Sequence, residues 1–337
     1  MKLGNKQELL DIIDRISGTP IQVIGDFVLD SYTWGKVERI SPEAPVPVVE
    51  VVRMEDRLGG AGNVVRNLAT IGAKPAACGV IGDDREGRSV LELLKEIGAD
   101  ASGIITDSSR PTVLKTRVIA HTQQIVRIDR ERRAELNERM TEQLVDAVAS
   151  GLPTAKAVIL SDYGKGVVTE PLLRSLDSAY KRGDLGLSSR PLFVDPHPRN
   201  YSLYKVMSVA KPNRKEAEAA SGQKIESVED AFRVAELLLE KWNSEIMVIT
   251  LGEGGMVVRK KGSLEGLHLE TAAQEVYDVS GAGDTVTAVY TAALAVGAGP
   301  VNAGVLANIA AGIVVSEIGT AAIKLDKLKE SVSRWEL

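Results

Sequence analysis

Short β-branched runs alternate with helical stretches along most of the chain. Residues 21–25, 76–81, 157–160, 192–195, 208–210 and 247–251 are apolar and bounded by polar or glycine-containing loops. Runs of that length and composition predict buried strands, with helices between them such as 87–97. The alternation predicts a mainly parallel sheet wrapped by helices. Ligands bind beyond the C-terminal ends of strands in such sheets. Polar residues collect there: Gly25-Asp26, Ser161-Asp162, Asp195, Asn213 and Thr250 each follow an apolar strand, whereas the stretch after 21–25 reads as a polar loop.

Two stretches break the pattern. Residues 45–54 are extended and valine-rich, with three prolines between Pro42 and Pro47. Residues 112–120 and 124–129 alternate as an antiparallel hairpin turning near 121–123. Together they predict a small β-sheet lid, formed by about 31–58 and 112–129, inserted in one domain that spans 1–337. Its valine-rich edge is the expected surface of a homodimer, because unpaired strands invite pairing. Residues 1–17 predict an amphipathic helix carrying Leu9, Leu10, Ile12, Ile13 and Ile16, and 183–191 a flexible surface loop.

Composition narrows the class. A chain of 337 residues is long enough for one large α/β domain or two smaller ones. A formal net charge of −5 gives no reason to expect nucleic acid or an anionic membrane as partner. Cys78 is the one cysteine, which rules out an internal disulfide framework and fits a reducing cytosol. The start lacks the unbroken apolar core of a signal peptide, and the apolar segment 286–298 is too short to span a bilayer. A cytoplasmic protein is expected.

The most telling stretch is Asp278-Val279-Ser280-Gly281-Ala282-Gly283-Asp284-Thr285, just before a helical run. Glycines let a ligand approach bare backbone N–H groups at a helix N-terminus, which favours an anion. The carboxylate of Asp284 adds a base beside such an anion hole, which is what an enzyme needs to move a phosphoryl group onto a hydroxyl. The plainer alternative is a glycine-rich turn whose Asp caps the helix. Other nucleotide motifs fail. Gly82 to Ser89 has P-loop spacing, but Arg88 replaces the lysine and Asp83, Asp84 and Glu86 would oppose a polyphosphate. Neither Gly60-Ala61-Gly62 nor Gly281-Ala282-Gly283 completes a dinucleotide pattern, and His121, His197 and His268 are scattered.

Gly59-Gly60-Ala61-Gly62-Asn63, Asn213-Arg214-Lys215-Glu216, Thr250-Leu251-Gly252-Glu253-Gly254-Gly255 and Asp278 to Asp284 occur in this order. With them the chain resembles a ribokinase-family (PfkB-type) sugar kinase over nearly its whole length. The resemblance implies a doubly wound sheet with helices on both faces and a small β-lid, and a reaction that uses ATP and Mg²⁺. It implies that Asp284 is the catalytic base and that the N–H groups of Gly281, Ala282 and Gly283 stabilise the transferring group. A carboxylate beside a helix N-terminus is expected to be a weak base, which a loose phosphoryl transition state tolerates. Asn213 and Glu216 match the motif that organises Mg²⁺ through water; on its own that tetrapeptide reads as an N-cap and a surface glutamate. Thr250, Gly252, Gly255 and Asn308 match the nucleotide site, and Asp278 and Ser280 a monovalent-cation site, for K⁺. On the acceptor side, Asp26 and Asp30 would accept hydrogen bonds from two sugar hydroxyls, above a floor of Gly59, Gly60 and Asn63.

Gly25 to Asp30, Arg39 to Val48, Gln123 to Asp129, Ser161 to Gly166 and Gly319-Thr320 narrow the resemblance to the kinase part of the ADP-heptose synthesis proteins. That implies phosphorylation of the anomeric hydroxyl of D-glycero-β-D-manno-heptose 7-phosphate, for lipopolysaccharide core synthesis. Cations must hold the phosphate already present; Arg39, Lys115, Arg117, Arg127 and Lys165 are the candidates, two or three of which should touch substrate. No H-x-G-H nucleotidyltransferase signature follows, so a stand-alone kinase or an isolated half is expected, the nucleotidyl step falling to a separate protein. The alternatives are a kinase of the same fold for another sugar, sugar phosphate or nucleoside, and a non-catalytic sugar-binding regulator.

Overall fold

The computed structural model describes residues 5–121, 123–263, 265–272, 279–316 and 322–335; Asp278 and Gly319-Thr320 lie outside these. The main sheet takes β1 (Pro20–Gly25), β4 (Lys74–Gly82), β5 (Asp100–Asp107), β8 (Ala157–Ser161), β9 (Leu192–Asp195), β10 (Met207–Ala210), β11 (Ser244–Thr250), β12 (Met256–Lys260) and β13 (Gly266–Leu269). Their order across the sheet is β13-β12-β11-β10-β9-β8-β1-β4-β5. Neighbours from β5 to β11 pair parallel, and β12 runs antiparallel to β11 and β13.

Strand residues alternate between two cores. Val23, Ile159, Phe193, Val209 and Val248 face one, built with α1 (Lys6–Ile16), α2 (Ala61–Thr70), α3 (Arg85–Glu96), α8 (Ala282–Ala295), α9 (Pro300–Val315) and α10 (Leu325–Arg334). Ile24, Val158, Leu160, Val194 and Met247 face the other, against α4 (Glu138–Gly151), α5 (Glu170–Lys181), α6 (Arg214–Ser221) and α7 (Val228–Lys241). Both faces are therefore covered, and the strands read as continuous apolar runs for that reason. α8 and α9 show almost no amphipathic period, because nearly every residue of each is buried.

A second sheet of four strands has the order β3-β2-β6-β7. It consists of β2 (Phe27–Ile40), β3 (Pro47–Gly60), β6 (Val113–Ala120) and β7 (Gln123–Arg130). β2 pairs antiparallel with β3 and parallel with β6, and β6 and β7 form the hairpin. The polar loop expected after 21–25 is thus corrected to a long strand. Its charged and aromatic residues hid the period of two, since Asp30, Tyr32 and Trp34 lie on one face and Leu29, Ser31 and Thr33 on the other. The cross-strand register gives the two faces opposite character. Asp30, Lys115, Asp129, Arg117 and Arg127 share one; Met54, Val126 and Ile128 share the other.

Candidate active site

β1, β4 and β5 run outward to one edge of the main sheet and β8 onward to the other, so the strand order reverses between β1 and β8. The crevice beyond the C-terminal ends at such a reversal is where open α/β sheets bind ligands. The two strands approach closely there, since a Cβ on Gly25 would stand 2.0 Å from the Ser161 carbonyl oxygen. Asp26 follows, only 1% exposed. It accepts the backbone N–H groups of Tyr163 (2.9 Å), Lys165 (3.1 Å) and Val167 (3.1 Å). Burial, then the charge of Asp162, pushes the Asp26 carboxyl up to about 6 against those three donors. Asp26 here anchors the loop after β8.

Asp284 lies in the first turn of α8, whose N-cap Gly281 takes the left-handed φ of 87°. The carboxylate is 6% exposed. Its Oδ1 accepts the Tyr163 hydroxyl at 2.6 Å and its Oδ2 accepts the Asn63 amide at 2.8 Å. Burial raises Asp284 to about 6, opposed by the Tyr163 and Asn63 donors and by Lys211, and assisted by Asp195. Burial is the largest cause and acts upward, opposite to the pull expected from a helix N-terminus. The Ala282 N–H donates to the Val279 carbonyl at 3.3 Å.

Asn63 is set by the way β3 runs into α2. Gly60 bends the chain with φ 57°, and a Cβ there would stand 2.5 Å from the Asp26 carbonyl oxygen. Asn67 then ties α2 to α8, donating to the Asn63 carbonyl at 2.9 Å and accepting the Thr285 hydroxyl at 3.1 Å. A Cβ on Gly59 would stand 2.2 Å from Asp30 Oδ2, so the glycine makes room for that carboxylate. Asp30, also buried, accepts Arg117 Nη1 at 2.6 Å. Asp26 and Asp30 thus have separate partners.

The candidate cations divide. Lys115 sits beside Asp30 in register and its ammonium lies 5.8 Å from the Tyr163 ring centroid. Burial lowers its pKa, and the Asp30 charge opposes that. Arg117 pairs with Asp30, Arg127 with Asp129 at 2.8 Å, and Lys165 with Glu131 at 2.5 Å. Arg39 is exposed nine positions beyond Asp30 along β2, roughly 30 Å away for an extended strand. It does not converge with the rest.

On the nucleotide side, Asn213 and Glu216 form a capping box at the start of α6, with bonds of 3.0 and 2.8 Å. The helix-opening role open to this tetrapeptide is realised, but Glu216 is half-buried rather than a surface group. Burial, then Asp195, raises its carboxyl. Asn213 bridges to Thr250, which brings the two loops together. Gly252 and Gly255 have φ of 65° and 75°; a Cβ on Gly255 would stand 1.9 Å from the Leu269 carbonyl oxygen, while Gly252 faces open space. Asn308 donates to the Glu270 carbonyl at 2.7 Å. Ser280 lies in the turn before α8.

Tyr163 and Lys211 are functional candidates that the sequence reading passed over. Ser161 and Asp195 end β8 and β9, and Lys211 directly follows β10, on the face that meets α8. Lys211 Nζ lies 3.0 Å from Asp195 Oδ2 and 3.4 Å from where a Gly283 Cβ would be. Burial would lower its pKa, but Asp195 and Glu216 raise it on balance, so a lysine ammonium faces the anion-hole turn. Its signal was a lone cation directly after an apolar strand and two residues before Asn213.

A doubly wound sheet with a buried carboxylate and a glycine-rich helix start at its switch point fits a phosphotransferase of the sugar-kinase type. The chain belongs to the pfkB family of carbohydrate kinases, whose model matches residues 20–327. It is an ATP-dependent sugar kinase, and the family's reaction uses ATP and Mg²⁺. Over 330 residues it is 42% identical to the bifunctional protein HldE of Paramagnetospirillum magneticum, covering 98% of this chain and 66% of that one. With the HldE of Geobacter sulfurreducens it shares 45% over 301 residues, 89% of this chain and 60% of that one. The chain thus spans just under two thirds of the length of these relatives. The resemblance to the kinase part of the ADP-heptose synthesis proteins is borne out by them. Escherichia coli phosphofructokinase-2, in complex with substrates and products, superposes with a TM-score of 0.78 at 19% identity, covering 94% of this chain and 99% of that one. Arabidopsis thaliana ribokinase with ribose and ATP gives 0.71 at 17%, covering 94% and 99%. At those identities the two share the fold.

Proposed function

We propose that this chain transfers the γ-phosphoryl group of ATP to the anomeric hydroxyl of D-glycero-β-D-manno-heptose 7-phosphate. The observation that carries this reading is the juxtaposition of buried Asp284 with the cationic face of the small sheet, where Lys115 stands over Tyr163. The anomeric O–H gives its proton to Asp284 as its oxygen bonds to the γ-phosphorus, and the bond to the β,γ-bridging oxygen breaks to release ADP. The N–H groups of Gly281 and Gly283, together with Lys211, stabilise the charge on the transferring group. Thr250, Gly252, Gly255 and Asn308 hold the nucleotide. Lys115 is the best-supported ligand for the substrate's 7-phosphate, with Arg117 after exchange from Asp30 and Lys165 and Arg127 in the outer ring. Asp26 acts by fixing the loop that presents Tyr163, and Asp30 by receiving a sugar hydroxyl.

Mg²⁺ fits beside Asp195 and Glu216, two neighbouring carboxylates whose mutual repulsion a divalent cation would relieve. When bound there it supplies positive charge to the triphosphate, with Asn213 and Glu216 orienting its water. Ser280 together with Asp278 is our candidate for a K⁺ site, Asp278 lying outside the described residues. We further read 1–337 as one kinase unit with the small sheet as lid, at work in the cytoplasm as a homodimer, its product passing on to a nucleotidyl-transfer step. The reaction is tested by ADP release with heptose 7-phosphate and by locating the new phosphate on the anomeric carbon. Phosphate appearing on another hydroxyl would overturn it.

A further inference from the structure

We propose that the Tyr163 hydroxyl is a positioning group for the catalytic base, holding Oδ1 of Asp284 so that the carboxylate stays ionised and in one orientation. This rests on the reading of Asp284 as the base. At 2.6 Å the contact has the length of a charge-assisted O–H···O⁻ bond. Asn63 holds the other oxygen at 2.8 Å, so the carboxylate is fixed from two sides and each oxygen keeps lone-pair capacity for a further donor.

Tyr163 is itself pinned. Its backbone N–H donates to Asp26, its ring lies beneath the Lys115 ammonium, and Gly164 follows with φ 66°, packed so that a Cβ would meet the His197 ring at 2.4 Å. The charged groups around the pair are Asp195 and Lys211 from the ends of β9 and β10, and Asp30 and Lys115 from the small sheet. Burial, then the charges of Asp284 and Asp195, holds the Tyr163 phenol well above its ordinary value. It therefore remains a donor throughout the working pH range and takes no proton itself. A phenylalanine would fill the same space, so the hydroxyl serves the carboxylate and not the packing.

The test is Tyr163→Phe, read by ¹³C-carboxyl NMR titration of Asp284, its signal assigned by loss in Asp284→Asn, and by the pH profile of kcat with heptose 7-phosphate and ATP·Mg²⁺. Loss of one donor to a buried carboxylate should raise its titration midpoint by about one pH unit. Turnover at pH 7 should fall roughly 10-fold, about two-fold of it from the shifted midpoint and the rest from lost orientation, so the deficit should narrow by about two-fold toward pH 9. The KM for ATP should stay within about two-fold, since no nucleotide contact is lost. A midpoint that does not move, or a loss equal at every pH, would make Tyr163 a packing residue and overturn the proposal. Should Tyr163→Phe fail to fold, 3-fluorotyrosine placed at 163 is the second probe. As a stronger donor it should lower the midpoint, and an unchanged or higher one would count equally against the proposal. Asp284→Asn separates the two levels: surviving turnover brings down the base itself, whereas an inactive Asp284→Asn with an unmoved Tyr163→Phe midpoint brings down only the role of Tyr163.

Discussion

Asp284 is a buried carboxylate whose two oxygens are held by neutral donors, and its pH behaviour follows from that. With the carboxyls of Asp284 and Asp26 both raised to about 6, kcat/KM should fall along an acid limb below about pH 6. Asp284→Asn should lower kcat by about 10²–10⁴-fold while ATP binding persists, checked by calorimetry beside the rate assay. Its stability effect has a definite sign. A carboxyl that is raised on folding contributes stability that is present below its unfolded value of 3.8 and lost as pH rises through about 6. Asp284→Asn should therefore raise Tm by a few degrees at pH 7.5 and bring no gain at pH 4, with a lower Tm at pH 7.5 as the contrary result. Asp284 and Asn63 were legible as motif positions. Tyr163 was not, because its hydroxyl meets a partner 121 residues away and no local pattern records such a contact. Nor did the sequence distinguish Asp26, engaged by the loop after β8, from Asp30, engaged by Arg117.

Among the elements, the starts of α2 and α8 meet because their sequences begin with small residues and cross-bond through Asn63, Asn67 and Thr285. Glycine is required where β3 enters α2. Gly59→Ala would place a methyl 2.2 Å from Asp30 Oδ2 and break the Asp30–Arg117 contact. We expect the KM for sugar to rise at least about 10-fold with the KM for ATP nearly unchanged, and equal effects on both would contradict the separation of the two half-sites. Gly255→Ala is the mirror experiment. Its φ of 75° and the 1.9 Å approach to Leu269 should make it hurt ATP binding first. The buried parallel strands were readable as apolar runs bounded by turns. β2 was not, since a strand lining a ligand cleft carries the charges and aromatics of a loop.

For the whole molecule, the small sheet sets a cationic face toward the site and an apolar face away from it. On that face Met54 of β3 is 64% exposed, and Ile128 and Val126 of β7 are 57% and 46% exposed. Paired across a two-fold axis, that face would bury in a homodimer what a monomer leaves in water. Ile128→Asp should shift the species seen by analytical ultracentrifugation from dimer to monomer; a wild-type monomer would remove the dimer from the account. The alternation of strands and helices made the main sheet legible, but the opposite character of the small sheet's faces depends on cross-strand register, which emerges only from the fold.

The substrate is the central claim, and one assay addresses it: ADP release with ATP, Mg²⁺ and, in turn, heptose 7-phosphate, fructose 6-phosphate, fructose, ribose and adenosine, followed by ³¹P NMR of the product. The account predicts turnover of heptose 7-phosphate alone, giving a 1,7-bisphosphate with the original phosphate intact. Preferred turnover of another acceptor, or none from a protein that still binds ATP, would contradict it.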